Sequence, residues 1–363
     1  MRDPNSDEDA AINDPLRRLG QAAEDVFESE RERFDKSTRD KKLIISVFGG
    51  VNAGKSMMVN ALMGRKLADV KPIAGWTREV SLFKLPDNDA VFIADTPGMQ
   101  DVNESVSRRA EEFVEKESDV VLYFINAAVG VTRHERDAHA KLRAAGFCTI
   151  VVVNKIDTLD VDERGVAISD IRQKLAIENS SGLFAASAKT GEGVGELRDA
   201  IAELLTKSGK DLLFARAVKD KDRIVDAWIT RAAVAASAIG LIPIPGSDTL
   251  PLTALQVGLL LKIAHTYEVE VTKSDIVPFI TEIAAGRLGK MIFTTVLKGL
   301  GWLLGPPGAG IAATAAATIA GTMTYGIGKA GQAFYRSGMK ASIPDLAPVF
   351  EAATKSYLTT KSR

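Results

Sequence analysis

The sequence predicts an α/β domain built on a mostly parallel sheet, followed by an all-α region. Between residues 43 and 206, apolar strand-like runs alternate with helix-like stretches, a pattern typical of a parallel sheet with helices on both faces. Two of the runs, VVLYFI (120–125) and TIVVV (149–153), are apolar at nearly every position, as central strands should be. Beyond about residue 207 the strand-like runs cease, and alanine, leucine, glycine and isoleucine dominate a helical pattern.

The first 40 residues are predicted to form a disordered acidic tail and a charged helix. Residues 1–14 are polar and acidic, and they lack the apolar core of a secretory signal. From Pro15 to about Asp40, apolar residues recur at helical spacing among many charged ones. Two interpretations stay open: the helix docks one stripe on a neighbouring domain, or it binds a partner.

The order of elements divides the chain into residues 1–40, 41–207 and 208–363. The predicted strands of the middle division are 43–48, 79–85, 90–94, 120–125, 149–153 and 182–186, and its helices lie near 55–63, 103–117, 133–145, 162–178 and 194–207. In the last division, LIPIPGSDTLP (241–251) separates two helical stretches because its prolines do not continue a helix. Asp248 is expected to cap the helix that follows.

Composition argues against several classes of function. The chain has 46 basic and 47 acidic residues, so no overall field favours DNA, and RNA binding is not expected because the helical region lacks a basic patch. The single cysteine, Cys148, rules out an internal disulfide and fits a reducing, cytoplasmic compartment. His134 and His139 have no cysteine partners and are predicted as surface residues, not zinc ligands.

The stretch GGVNAGKSMMVNALMG (49–64) joins the first predicted strand to the first helix of the domain. Its glycines allow successive backbone N–H groups to point at one anion, and the helix adds its positive end. Lys55 is expected to reach the β- and γ-phosphates of a nucleotide, and the Ser56 hydroxyl to ligate Mg²⁺. A plain glycine turn, the alternative, would leave these two residues unexplained. The residues expected at the phosphates are Asn52, Ala53, Gly54, Lys55, Ser56 and Met57.

Two short motifs at strand ends point to guanine as the base. In NKID (154–157), the carboxylate of Asp157 would accept hydrogen bonds from guanine N1–H and N2–H₂, a donor pair that adenine lacks. The stem of Lys155 would lie over the base. In SAKTG (187–191), the N–H of Ala188 would meet guanine O6. The base-side residues predicted here are Asn154, Lys155, Asp157, Ser187, Ala188 and Lys189.

The motif DTPG (95–98) follows the apolar run AVFIA and indicates contacts to the metal and the γ-phosphate. Asp95 would hold Mg²⁺ through water, and the N–H of Gly98 would touch the γ-phosphate. Thr77 in IAGWTREV is placed for a second hydroxyl ligand. The predicted metal ligands are therefore Ser56, Thr77 and Asp95, and the residues expected to carry GTP hydrolysis are Lys55, Thr77 and Gly98.

These five motifs, in order between residues 49 and 189, resemble those of the translation-factor-class GTPases of the Era, EngA, EngB, TrmE and septin-like superfamily. The resemblance covers roughly residues 42–207 and implies a P-loop GTPase domain that binds GTP, GDP and Mg²⁺. Met99 stands where Ras-like enzymes have a water-orienting glutamine. The resemblance therefore implies slow hydrolysis until a partner, a second copy or a cation supplies the missing charge. Gln100 would substitute for that glutamine only if the loop shifts by one residue.

Asn52, inside the phosphate loop, has two interpretations. The resemblance to Era-like and TrmE-like members implies that it helps to hold K⁺ against the phosphates. The alternative is that asparagine merely tolerates the left-handed backbone of the loop. Arg65 and Arg78 flank the switch-like loop and are weaker candidates for a charge donated to a second copy.

The helical region carries a second, less specific resemblance. Residues 241–273 resemble part of a domain of uncharacterised function often found after Era-like GTPases, and the likeness runs from about 225 to 340. That family includes membrane-associated members. Residues 299–328 contain no charge, yet Pro306-Pro307 splits the run and its alanines and glycines favour close helix packing. A buried hairpin, a hairpin that inserts reversibly into a membrane and permanent membrane helices all stay open.

The motifs predict a slow, Mg²⁺-dependent GTPase that acts as a molecular switch, with the helical region reading the nucleotide state. The alternative is a membrane-associated or membrane-remodelling scaffold in which GTP controls residues 291–328. The expected partners are a guanine nucleotide and either a second copy or a GTPase-activating protein. In the alternative, the inner face of a membrane is a further partner.

Overall fold

The computed structural model describes residues 4–39, 41–66, 81–85, 88–95, 116–178, 182–240, 249–285 and 309–361. The chain divides into two compact units, one of Thr38–Ile224 and one of Met1–Ser37 with Val225–Arg363. Residues 208–224, which the sequence assigns to the helical region, fall in the first unit. They do so because the helix Asp211–Ala217 is buried along most of its length and packs against the sheet domain.

The first unit is built on a six-stranded sheet with the strand order β2-β3-β1-β4-β5-β6. Every neighbouring pair is parallel except β2 and β3, which are antiparallel. The strands are β1 (Leu43–Gly49), β2 (Ser81–Leu85), β3 (Asn88–Asp95), β4 (Val120–Asn126), β5 (Thr149–Asn154) and β6 (Leu183–Ala186). The predicted α/β class is confirmed, and a helical region follows the sheet domain. Residues 79–80 of the predicted second strand and 103–115 of a predicted helix lie outside the described residues.

Among the residues that the structure describes, the α-helices of this unit are α2 (Lys55–Met63), α3 (Arg133–Ala144), α4 (Val161–Lys174), α5 (Val194–Thr206) and α6 (Asp211–Ala217). They follow α1 (Pro4–Thr38), which lies in the other unit. The three central strands β1, β4 and β5 are buried along nearly their whole length, as their unbroken apolar runs predict. Because parallel strands end at one edge of a sheet, Gly49, Asp95, Asn154 and Ala186 come to the same edge. The functional motifs follow these strand ends.

His139 is buried, and its predicted surface position is wrong. The face of α3 that meets the sheet contains Ala138, His139 and Leu142, so only 3% of His139 is exposed, and its ring lies 5.4 Å from that of Tyr123. His134, on the other face, is exposed as predicted. Burial lowers the pKa of His139 to about 4, and the charge of Arg143 acts in the same direction.

We expect the buried imidazole of His139 to make stability depend on pH. Since its folded pKa lies below the unfolded value near 6.5, the unfolded chain binds the extra proton, and stability falls as the pH drops from about 6.5 to about 4. Between pH 7.0 and pH 5.0, His139→Leu should lose roughly 2 kcal/mol less free energy of unfolding than the wild type. This estimate uses about 1.4 kcal/mol per pKa unit. Urea unfolding at pH 7.0 and pH 5.0 measures it, with His134→Leu as the control. An unchanged pH dependence in the His139 variant would contradict the assignment.

In the described residues, the second unit contains α1, α7 (Asp222–Gly240) from Val225 onward, α8 (Thr249–Thr266), α9 (Lys273–Ala285), α10 (Ala309–Arg336) and α11 (Ile343–Lys361). Residues 4–14, predicted to be disordered, belong to α1. Acidic residues near a helix N-terminus interact favourably with its dipole, and a helix once nucleated extends at little cost. Further along, α1 buries Ala23 and Phe27, and Glu24 pairs with Lys273 of α9 at 3.4 Å. The apolar stripe of α1 therefore packs within the helical unit. This agrees with the interpretation that the charged helix docks one stripe on a neighbouring domain.

Close packing surrounds the second half of α10. A Cβ atom added at Gly326, Gly328 or Gly331 would lie 2.5, 2.8 or 2.4 Å from side chains of α11, α7 and α8 respectively. Within the part of the chain that the structure describes, no helix combines the length and the apolarity needed to cross a membrane. Asp248, residues 241–248 of the predicted break and residues 291–308 of the predicted hairpin lie outside the described residues. Residues 249–251 of the predicted break form the start of α8, since proline is tolerated in the first turn of a helix.

Candidate nucleotide site

The turn between β1 and α2 forms a cradle for an anion. Asn52 and Gly54 both have left-handed backbones, with φ of 63° and 82°, and the N–H of Ala53 donates to the Gly50 carbonyl at 3.2 Å. Helix α2 then starts at Lys55 with Gly54 as its N-cap. The first N–H groups of a helix have no intrahelical partner, and glycine supplies no capping side chain. They are therefore available to an anion.

Lys55 lies folded across this loop. Its Nζ donates to the carbonyl of Gly49 at 3.2 Å, which places the ammonium group over the turn, where the sequence predicts phosphates. Met57 and Asn52 are exposed beside it. The φ of Asn52 fits the interpretation that asparagine is there for its backbone, and the K⁺ role stays a prediction.

Asn154, at the end of β5, joins the phosphate loop to the base-side loop. Its buried amide Nδ2 donates to the Ala53 carbonyl at 2.9 Å and lies 3.5 Å from that of Gly54, while Oδ1 accepts from the Ala188 N–H at 3.2 Å. The sequence predicts both Asn154 and Ala188 as nucleotide contacts. In the structure they bond to each other, and Asn154 fixes the distance between the two halves of the site.

Asp157 is positioned by Ser187. The Ser187 hydroxyl is fully buried, donates to Asp157 Oδ1 at 2.6 Å and accepts the N–H of Thr190 at 3.1 Å. The described residues therefore engage only one oxygen of the carboxylate. Lys155, two residues before Asp157, has a left-handed φ of 67°. The hydroxyl of Thr158 closes this turn by donating to the Lys155 carbonyl at 2.7 Å. Lys189 is exposed beside this loop.

Asp95 and Ser56 line a cavity of about 180 Å³ beside the phosphate loop. Oδ1 of Asp95 is buried and has no hydrogen-bond partner among the described residues. This burial raises the pKa of Asp95, and the nearby charge of Lys55 opposes that effect. A carboxylate and a hydroxyl oxygen are donors that suit Mg²⁺, and a bound cation would satisfy the orphaned oxygen. The two side chains therefore fit the predicted metal.

Several predicted site residues lie outside the part of the chain that the structure describes. They are Thr77, Arg78, Gly98, Met99 and Gln100. Arg198 of α5 belongs to none of the predicted motifs, yet it is 7% exposed and donates to the Leu62 carbonyl at the end of α2. A signal was present, because Arg198 stands at an apolar-face position, between Leu197 and Ile201.

Comparison with known proteins gives the family of this domain. Residues 44–155 match the family described as 50S ribosome-binding GTPases. GTPase Der from Listeria innocua is 32% identical over 188 residues, which cover 48% of this chain and 43% of Der. The chain thus spans less than half the length of the curated relatives it matches. Residues 44–155 therefore belong to a P-loop GTPase domain, the kind of domain that the motifs predict.

Two solved structures show a partial likeness. One is Era from Aquifex aeolicus bound to GDP·AlF₄⁻, with 25% identity, a TM-score of 0.34 and coverage of 44% of this chain and 56% of that one. The other is Era in complex with MgGDPNP and nucleotides 1506–1542 of 16S ribosomal RNA, with 22% identity, a TM-score of 0.35 and coverage of 54% and 68%. The RNA contact belongs to that protein, and the expectation that this chain does not bind RNA stays a prediction.

Proposed function

We propose that this chain binds GTP and GDP with Mg²⁺, hydrolyses GTP slowly and works as a molecular switch read by its helical region. The observation that carries the proposal is the Asn154 side chain. It holds the phosphate loop and the base-side loop together with one amide group. Nucleotide recognition needs these two loops at a fixed separation.

Each residue has a distinct part in this proposal. Backbone N–H groups of residues 52–57 surround the phosphates, and Lys55 adds a positive charge. Asp157 accepts from the base edge, with its carboxylate oriented by Ser187. Ser56 and Asp95 would hold Mg²⁺, which supplies electrostatic stabilisation of phosphate charge when bound. Thr77 and Gly98 complete the γ-phosphate contacts on the sequence argument alone.

The proposal is tested by titrating fluorescent GDP, GTP and ATP analogues with and without Mg²⁺. We expect guanine nucleotides to bind at least about 10²-fold more tightly than adenine nucleotides, because adenine leaves the carboxylate of Asp157 unpaired. We also expect chelation of Mg²⁺ to weaken GTP binding. Equal affinity for ATP and GTP would overturn the proposal.

The slow rate of hydrolysis has its own test. Met99 cannot polarise water, so the missing charge comes from K⁺ held near Asn52, from a second copy or from an activating partner. We expect GTP turnover to rise several-fold when K⁺ replaces Na⁺ if Asn52 acts in a cation site, and Asn52→Ala to abolish that rise. Equal slow rates in both salts would assign the charge to a second copy or a partner.

We expect Asp95→Asn to stabilise the protein without ligands and to weaken its binding of Mg²⁺. The folded pKa of Asp95 is raised, so the stability of the wild type increases as the pH falls through that pKa and is lower at neutral pH, where the carboxyl is charged. Removing the charge should therefore raise stability at pH 7.5 by roughly 1 kcal/mol. Thermal melts of both proteins at pH 7.5 and at a series of lower pH values measure this change.

The same melts with GDP and Mg²⁺ provide the second arm. The Asp95→Asn protein should gain less from added Mg²⁺ than the wild type does. Asp89→Asn, on the same strand but exposed and paired with Lys84, is the matched control and should behave like the wild type. Lower stability of the ligand-free Asp95→Asn protein, with an unchanged response to Mg²⁺, would contradict the assignment.

The membrane alternative carries a separate expectation. Insertion of the second half of α10 would require it to leave its close contacts with α7, α8 and α11. Flotation with anionic vesicles in GDP and in a non-hydrolysable GTP analogue tests this alternative. Flotation only with the GTP analogue would support a GTP-controlled membrane scaffold.

A further inference from the structure

The carboxyl end of α2 and the residues just after it are tied to residues 217–220 by one backbone and one side-chain hydrogen bond. The N–H of Lys219 donates to the Met63 carbonyl at 3.1 Å, and Arg65 Nη2 donates to the Ala217 carbonyl at 3.2 Å. The last carbonyls of a helix have no intrahelical partner, so these contacts satisfy groups that would otherwise need water. The N–H of Lys219 therefore satisfies a carbonyl at the end of α2, and Arg65 satisfies one at the end of α6.

Arg198 of α5 joins the same two segments from one side. Its guanidinium donates to the carbonyls of Ala61 and Leu62 at 3.3 and 3.1 Å, and its Nη1 pairs with Asp220 at 3.3 Å. A cation at a helix C-terminus interacts favourably with the helix dipole. Because Arg198 is only 7% exposed, its guanidinium needs all of these partners, and losing one leaves a buried donor unsatisfied.

The two segments are also in steric contact. Gly64, the C-cap of α2, has a left-handed φ of 67°, and a Cβ at this position would lie 2.5 Å from the Cβ of Lys219. There is no room for a side chain between them. A movement of α2 along its axis therefore displaces residues 217–220 or breaks these contacts.

Helix α7 starts two residues beyond Asp220, and its first turn is anchored on α5. Arg223 donates to Asp199 at 2.7 Å and to Glu196 at 3.1 Å, on the helix that also carries Arg198. Helix α7 begins in the sheet-containing unit and continues beyond Val225 as part of the helical one. The helix that begins at the phosphates is thus connected, through Arg198 and residues 217–220, to a helix shared by both units.

We propose that Arg198 is a positioning residue that transmits the state of the phosphate loop to the first turns of α7. This inference rests on the proposed function, since it needs a nucleotide at the amino end of α2. A ligand shifts a conformational equilibrium only through contacts that differ between the two states, and the γ-phosphate is the group that differs between GTP and GDP. The tie of α2 to residues 217–220 gives that difference a physical path to α7.

Hydrogen–deuterium exchange on the full chain tests the proposal. The first turns of α7, residues 222–230, are compared in saturating GDP and in saturating non-hydrolysable GTP analogue. In the wild type we expect exchange rates that differ at least threefold between the two states. In Arg198→Met, which keeps the length of the stem, we expect the difference to fall below 1.5-fold, with Arg198→Lys in between. Lys174→Met, which breaks only an exposed pair with Asp170 on α4, is the control and should match the wild type.

Asp220→Asn is the second variant, because its side chain is 59% exposed and its removal is compatible with folding if Arg198→Met does not fold. It should reduce the difference at α7 at least twofold. A wild-type difference retained in either variant would overturn the proposal. A wild type that binds guanine nucleotides but shows no difference at α7 would overturn the coupling alone. A wild type that binds no guanine nucleotide would overturn the proposed function instead.

Discussion

Asp157→Asn is expected to lower the affinity for GDP by roughly 10²- to 10³-fold and to favour xanthosine diphosphate. In the structure Ser187 donates to Oδ1 of Asp157 at 2.6 Å. An asparagine would keep that bond by presenting its carbonyl oxygen to Ser187, so its NH₂ group would face the base. Guanine offers donors at this edge and would meet a donor, whereas xanthine offers an acceptor at position 2. Losing two charge-assisted hydrogen bonds costs about 3–4 kcal/mol, which gives the expected range.

Competition of GDP, XDP and ADP against a fluorescent GDP analogue measures this change. Asp160→Asn, three residues along, is the matched control because it removes an exposed carboxylate with no side-chain cap bond. It should leave all three affinities within about twofold of the wild type. If Asp157→Asn kept the wild-type preference for GDP over XDP, the carboxylate would not read the base, and the guanine assignment would fail.

The sheet could be predicted from the sequence because its central strands are buried on both faces. A strand with no solvent-facing side must be apolar at nearly every position, as β1, β4 and β5 are. The turn residues of the site were equally readable, since the glycines at 49, 50 and 54 and the Lys55-Ser56 pair have few other uses together. Each of these motifs follows the end of a strand. Because the strands are parallel, their ends lie at one edge of the sheet and bring the motifs together there.

Other features depend on which residues meet across the fold, and no local pattern records that. His139 is polar in sequence, yet it fills a space beside Tyr123 that only the packing of α3 on the sheet creates. The sequence predicts Asn154 and Ala188 as separate contacts to the nucleotide, because spacing along the chain does not show that they bond to each other. Arg198 bonds to residues 61, 62 and 220. Residues 61 and 62 are far from Arg198 along the chain, and nothing in the sequence around them indicates this contact.

Gly54→Ala is expected to weaken nucleotide binding by about 10²-fold or more and to destabilise the domain by roughly 3 kcal/mol. Two costs act together at this residue. An alanine with a φ of 82° is strained by about 1–2 kcal/mol. Its Cβ would also lie 2.4 Å from Nδ2 of Asn154, so the amide must move. Because that amide donates to Ala53 and accepts from Ala188, the movement loosens the phosphate loop and the base-side loop at once.

Gly146→Ala separates the two costs, because Gly146 has nearly the same φ of 80° with no atom within 4 Å of an added Cβ. This variant should be destabilised only by the strain of its left-handed backbone, about 1–2 kcal/mol, and should keep the wild-type affinity for GDP. A double-mutant cycle with Asn154→Ala completes the test. If Gly54→Ala acts by displacing Asn154, its effect on GDP affinity should shrink at least threefold once Asn154 is alanine, since the shared partner is already gone. Strictly additive effects would show instead that the loss comes from the strained backbone of the loop alone.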